Sequence, residues 1–147
     1  LLAYSTTALQ NDNRFVIDDD WFYKSLETKK LLKYEVEEMP LKDIRRRWID
    51  GNVYKLDEVS PYKYLTGDKE AYEKYCILHQ LHPNLTTMSL ERFDSLIASM
   101  DMNGYDPKKM IVVDPHNMIM DGQHRACYLL HKFGEEYVVK VLKLWLK

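Results

Sequence analysis

"KMIVVDPHNMIMDGQHRACYLLHKFGEEYVVKVLKLW", Lys109 to Trp145, is the stretch that decides the fold class. "KMIVVD", Lys109 to Asp114, is a short apolar run with the length and β-branching of a buried strand. "PHN" follows as a tight turn, and "MIM", Met118 to Met120, as the short return strand of a hairpin. The period then changes. "GQHRACYLLHKFG" reads as a helix with Gly134 as its stop. "YVVKVLKLW", Tyr137 to Trp145, is a closing strand, apolar on both faces and therefore internal to a sheet. Mixed strands and helices that include a hairpin predict an α+β fold.

Upstream, "TMSLERFDSLIASMDMNG" predicts a helix. Leu90, Phe93, Ile97 and Met100 recur at helical spacing, and Gly104 ends it. "DKEAYEKYCILHQL" predicts another, with Asp68 as N-cap, Ala71, Tyr75 and Leu78 along one face, and "LHPNLT" as its break. "NVYKLDEVSPYKYLTGD" starts like a strand and becomes a loop punctuated by Pro61 and Gly67. "KKLLKYEVEEMPL", Lys29 to Leu41, is a strand ended by Pro40, and "LKDIRRRW" is a turn of helix or a loop. "RFVIDDDWFYKSLE", Arg14 to Glu27, predicts a short strand or turn whose aromatics pack on the main domain. Its acids, Asp18 to Asp20, are adjacent and cannot all face one ion without backbone contortion. Residues 1–14 are polar, mixed and expected to be loose. The organisation is an amino-terminal extension over 1–28 and one domain over 29–147.

A chain of 147 residues buries an adequate core without staples. Hydrophobic residues at 46% and charged residues at 30% place it with globular proteins rather than disordered ones. The formal charge of −2 argues against a broad nucleic-acid-coating surface, although a local basic patch such as Arg45 to Arg47 survives it. Cys76 and Cys127 form no CxxC motif, which favours a reducing, cytoplasmic compartment. No apolar stretch approaches the roughly 20 residues needed to cross a bilayer, so no membrane partner is expected. "LLAYSTTALQNDNR" lacks the basic region and apolar length of a signal peptide, and a first residue other than Met suggests a fragment.

The chemistry concentrates where the hairpin strand meets the helix. The first turn of a helix carries amide N–H groups without internal partners at a positive dipole end, which favours an anion. Gly122 admits close approach to the backbone, and Gln123 adds an amide. Arg125 offers a planar fork to a phosphate. His124 adds a donor whose charge can change near neutral pH. Asp121 is repelled by a phosphate unless it binds a metal or takes a proton from an attacking hydroxyl, which suggests phosphoryl chemistry. A structural reading stands beside this one: Asp121 is also a good N-cap and Arg125 a good i+4 ion-pair partner. On a helical wheel Ala126, Leu129, Leu130 and Phe133 face the core, while His124, Cys127 and His131 fall on another side. Those three could ligate zinc, but a closed site needs a fourth ligand, so no metal site is assigned.

The run from about Phe93 to Leu144 resembles the ParB/sulfiredoxin-like superfamily. "SLIASMDMNG", "MIVVD", "NMIMDGQHRACYLLHKFG" and "EYVVKVLKL" match its helix, strand, hairpin-and-motif helix, and final strand in order. "YEVEEMPLKDI" looks like its first strand and the loop after it. The resemblance implies a ParB/sulfiredoxin-like mixed sheet with helices packed around it. Sulfiredoxins carry a catalytic cysteine where this chain has Gln123, so sulfinic-acid reduction is not implied. Chromosome-partition ParB proteins bind CTP through an arginine-rich motif, where this chain has His124. The free-serine kinase branch carries D-G-H-H-R, and "DGQHR" is similar to it. That branch implies a nucleotide (ATP, ADP or CTP) on the helix start, with Mg²⁺ as the candidate ion, and Asp121 near the transferred group. It also implies a catalytic glutamate upstream, for which Glu37, Glu38 and Glu58 are candidates, with Lys63 and Tyr64 as acceptor-lining candidates. The leading expectation is a small phosphotransferase or nucleotide hydrolase acting on a small hydroxylated acceptor. Its catalytic residues would be Asp121 and His124, and its nucleotide contacts Gly122, Gln123, His124 and Arg125. The alternative is a non-catalytic nucleotide- or nucleic-acid-binding module using Arg45 to Arg47, or a scaffold that lost its ligand.

Overall fold

Three of the four strands of the main sheet come from the last third of the chain, and the fourth is the long strand that precedes the basic run. The structure is a computed structural model describing residues 6–17, 20–81 and 88–147. In chain order the elements are α1 (Thr6–Asn11), α2 (Asp20–Leu26), β1 (Leu31–Pro40), β2 (Arg45–Arg47) and β3 (Val53–Lys55). They continue with α3 (Ser60–Leu65), α4 (Lys69–Gln80), α5 (Leu90–Asn103), β4 (Ile111–Val113), β5 (Ile119–Asp121), α6 (Gln123–Phe133) and β6 (Val138–Leu146). The main sheet has the order β1-β6-β4-β5; β6 is antiparallel to β1 and parallel to β4, and β4–β5 is an antiparallel hairpin. The fold is α+β, a mixed sheet with helices around it.

β6 is internal, as its two apolar faces require. Val139 and Val141 enter the core under α6, while Leu142 and Leu144 enter a second core on the opposite face. That second core is built from the amino-terminal segment. Leu9 is fully buried, and Phe15, Phe22 and Leu26 close over Val112 and Leu142. The expectation of a loose start is corrected over its described part: residues 6–11 are helical and Leu9 is a core residue. Phe22 and Tyr23 of the next stretch pack on the domain as expected, but from a helix rather than a strand or turn, and Phe15 packs from the segment before it. Asp18 and Asp19 lie outside the described residues, as does most of the "LHPNLT" break.

Other differences have local and non-local causes. Residues 60–65 are helical instead of a loop, because Pro61 sits in the first turn, where its missing N–H costs nothing. Arg45–Arg47 form a strand against Val53–Lys55 instead of a helical turn. That hairpin docks on β5, with the Arg45 amide donating to the Asn117 carbonyl at 2.9 Å. Asp68 caps α4 as expected, accepting from the Ala71 amide at 3.1 Å. The buried stripe of α4, however, is Tyr72, Tyr75 and Cys76, and Leu78 is exposed. On α6, Ala126 and Leu129 are buried, but so are Gln123, Cys127 and Tyr128, while Phe133 is exposed and stacked on Tyr137. The buried face is wider than one stripe because α3 and the turn at Leu56 cover α6 on the side away from the sheet. Among the described residues no helix is long and apolar enough to cross a membrane.

Two tests follow from the second core. Phe22→Ala should lower unfolding free energy by about 3–5 kcal/mol in a denaturant titration. Asp12 accepts from Arg14 Nη2 at 2.7 Å and from the Tyr34 hydroxyl at 3.1 Å, and the Arg14 bond holds its carboxyl down to about 2. This stabilisation is complete above the ordinary carboxylate value of 3.8 and is lost as pH falls toward 2. With Arg14 exposed to solvent it amounts to about 1 kcal/mol or less, so the stability gap between parent and Asp12→Asn should be small at pH 6 and vanish near pH 2.

Candidate functional site

Asp121 is the last residue of β5 and pairs with Val112 of β4. The chain then reverses into α6 through Gly122, at φ 85° and ψ 23°. A side chain is strained at that φ, and a Cβ there would lie 3.4 Å from Ile111 Cα and 3.6 Å from Arg125 Nη1. Gly122 therefore serves the turn and its packing on β4. Its missing Cβ faces the protein's own atoms, which corrects the reading of a glycine kept small for a ligand. Gly122 is itself the cap residue and makes no side-chain cap, so the alternative of Asp121 as N-cap falls away. The first helical bond runs from the Ala126 amide to the Gly122 carbonyl at 2.9 Å. The amides of Gln123, His124 and Arg125 thus lie beyond the helix's own bonding, at its positive end.

The three side chains of this turn diverge. Arg125 Nη1 donates to the Lys109 carbonyl at 3.1 Å, and the Tyr105 hydroxyl donates to the same oxygen at 3.0 Å. One arm of the expected phosphate fork is thus engaged in tying the seam to the start of β4. His124 points into an aromatic wall: Nε2 shares a 2.7 Å hydrogen bond with the Tyr72 hydroxyl, and the ring stands edge-on to Phe93 at 4.8 Å. Part of the residue reaches the surface, but the ring is packed round by protein. That desolvation, reinforced by the charges of His79, Arg92, Arg46 and Arg125, pushes it down to about 3. His124 is neutral at physiological pH, which corrects the expectation of a donor switching charge near neutrality and leaves it a positioning role. Gln123 is buried, with Nε2 donating to the Tyr75 hydroxyl at 3.0 Å.

Of the basic run Arg45 to Arg47, the sequence does not distinguish Arg46, the member that turns inward. Its charge is felt at Tyr75, His124 and Cys127, its guanidinium lies 5.8 Å from the Trp48 ring, and its Nε is buried without a hydrogen-bond partner. Trp48 stacks on Tyr75 at 5.9 Å, and Tyr75 lies 3.9 Å from His79, which extends the aromatic wall beside it. The basic run is split by strand alternation. Arg45 Nη1 donates to the carbonyls of Lys42 and Ile44, Arg46 turns inward, and Arg47 is exposed. It does not form one phosphate-facing surface.

The remaining candidates lie elsewhere. Glu37 and Glu38 are on β1, at the opposite edge of the sheet from β5, and Glu37 pairs with Lys143 Nζ at 2.8 Å. Glu58 accepts from the Lys55 amide at 2.9 Å, closing a turn. The Tyr64 hydroxyl donates to Asp94 at 2.6 Å, which raises it to about 12, and Lys63 is exposed on α3. The zinc alternative also disperses. Cys127 is fully buried with Sγ directed at the Leu56 carbonyl, and His131 lies edge-on to Tyr62. Among the described residues no group of three His, Cys, Asp or Glu side chains is placed to hold a metal ion.

Gly122→Ala should cost about 1–3 kcal/mol in denaturant unfolding, from the left-handed backbone alone. The His124 imidazole should show no NMR titration between pH 5 and 8. Its folded value lies below the ordinary 6.5, so the unfolded chain binds the extra proton first. Its effect on stability is therefore absent above 6.5 and grows unfavourable as pH falls from there toward 3. His124→Phe should flatten that slope.

Compared with family models, curated proteins and solved structures, the chain gives no match in any of the three.

Proposed function

We propose that this chain is a phosphate-binding domain that takes a nucleotide at the amino end of α6 and transfers or hydrolyses its terminal phosphoryl group. One observation carries the reading: the Arg46 Nε is buried without a partner, and its guanidinium lies against Trp48, which stacks on Tyr75, the residue that Gln123 in the first turn of α6 bonds. A guanidinium N–H withheld from water and left unbonded is costly, and an anion relieves that cost. Arg92 and Arg125 add to the positive field around His124. The aromatic wall excludes water and strengthens that field. The resemblance of "DGQHR" to the free-serine kinase branch points the same way.

In this reading the amides of Gln123, His124 and Arg125, with Arg46, hold the phosphate. Asp121 accepts the proton of the attacking hydroxyl as its oxygen bonds to phosphorus and the bond to the leaving phosphate breaks. If Asp121 instead holds Mg²⁺, the ion would supply positive charge that offsets the charge of the phosphate. The unpaired, buried cysteines suit a reducing, cytoplasmic compartment.

A specific observation favours the non-catalytic alternative. The second carboxylate that the kinase resemblance implies is not supplied by its candidates, since Glu37 and Glu58 are engaged elsewhere and Glu38 lies on β1, at the opposite edge of the sheet from β5. A nucleic-acid partner draws less support, because the basic run is split between three environments.

Thermal unfolding with ATP, ADP and CTP, with and without Mg²⁺, tests binding. A nucleotide at about 100 times its Kd should add about 2.7 kcal/mol, a rise in Tm of roughly 2–8 °C. Arg46→Met, which keeps the packing of the stem, should abolish the rise. Asp121→Asn should keep the rise and lose phosphoryl transfer; full turnover in that variant would remove Asp121 from the mechanism. No rise with any nucleotide would overturn the proposal.

A further inference from the structure

Gln123 is the first residue of α6, and its side chain is only 7% exposed. Nε2 is taken by the Tyr75 hydroxyl, while Oε1 is buried and has no hydrogen-bond partner. An unpaired buried acceptor one residue into an anion-binding turn is the wrong chemistry for a fully deprotonated anion. Two lone pairs would face each other. A donor on the ligand resolves the conflict, and a phosphate monoester has one. Its second ionisation lies near pH 6, so near neutrality a P–OH group is available, whereas sulfate carries none.

We infer that the α6 site, if it binds phosphate as proposed above, reads a terminal phosphate by its proton: Gln123 Oε1 accepts from P–OH while Arg46 Nε and the helix amides donate to the unprotonated oxygens. Two of the unpaired buried atoms, one acceptor and one donor, are linked through Tyr75: Gln123 bonds to its hydroxyl, and the Arg46 guanidinium lies 5.8 Å from the Trp48 ring that stacks on it. They match the two kinds of oxygen on a hydrogen phosphate. Such a site selects monoesters and terminal phosphates. It rejects sulfate, and it rejects phosphodiesters, which have no P–OH, so a nucleic-acid backbone is excluded as its ligand.

The test is calorimetric titration of the full chain at pH 6.5 with inorganic phosphate, methyl phosphate and sulfate, on the parent and on Gln123→Met. The expected result is that both phosphates bind at least about tenfold more tightly than sulfate, the scale of one buried hydrogen bond. This should hold even though sulfate carries the larger charge. In Gln123→Met, with its fold checked by circular dichroism, the preference should fall toward unity. Equal affinity of the parent for phosphate and sulfate would overturn the inference and place the carboxamide NH₂ toward the anion, while leaving an anion site intact. A preference that survives Gln123→Met would overturn the assignment to Gln123. Binding of neither anion would overturn the inference together with the phosphate-site reading itself.

Discussion

The left-handed turn at Gly122 is the constraint on which the α6 face depends. It converts the end of a sheet strand into the start of a helix within one residue, against the backbone of Ile111. The geometry has three consequences. The unbonded amides of α6 lie at the end of β5, next to Asp121. The next three side chains leave in three directions, toward Tyr75, Tyr72 and the Lys109 carbonyl. The rest of α6 lies flat on Ile111 and Val113, where Ala126 and Leu129 close the core. Any residue with a Cβ at this turn strains all three together.

Electrostatics then separates the roles of neighbouring residues. Positive charge from α5, β2 and α6 converges on one helix end, and the ring in the middle of it, His124, is kept neutral by burial and by that charge. A neutral imidazole bonded to Tyr72 is a strut. It fixes the first turn of α6 against the rings of Phe93 and Tyr75. A low-dielectric aromatic wall on one side and fixed N–H dipoles on the other form the kind of environment in which a developing phosphate charge is stabilised without reorganisation. Asp121 ends β5, paired with Val112 of β4, directly before this turn.

The carboxy-terminal third was legible because each signal there is local. The period changes from two to helical at Gly122, glycines stop α5 and α6, and the double-sided apolar strand has to be internal. The basic run was legible as a candidate, but the inward turn of Arg46 within it was not. β2 has three residues, and its strand character comes from pairing with residues six to ten positions away and docking on β5, so "RRRW" carries no period of its own. Alternation along that strand is what turns Arg46 inward and Arg47 out. The burial of Leu9 was hidden for a similar reason: a six-residue polar helix has no stripe, and a single leucine finds the sheet face through tertiary contact. The Tyr72, Tyr75 and Cys76 stripe of α4 was present in the sequence, one position away from the face assigned to it.

The central claim is that the amino end of α6 and Arg46 grip one phosphate. Its most direct test is a ¹⁵N NMR titration with ATP that follows the backbone amides of Gln123, His124 and Arg125 and the side-chain Nε of Arg46. The account predicts that these four signals move together along one saturating curve, with the largest shifts in the spectrum. Shifts centred on other elements, or an Arg46 Nε signal that stays still while the ligand saturates elsewhere, would contradict it.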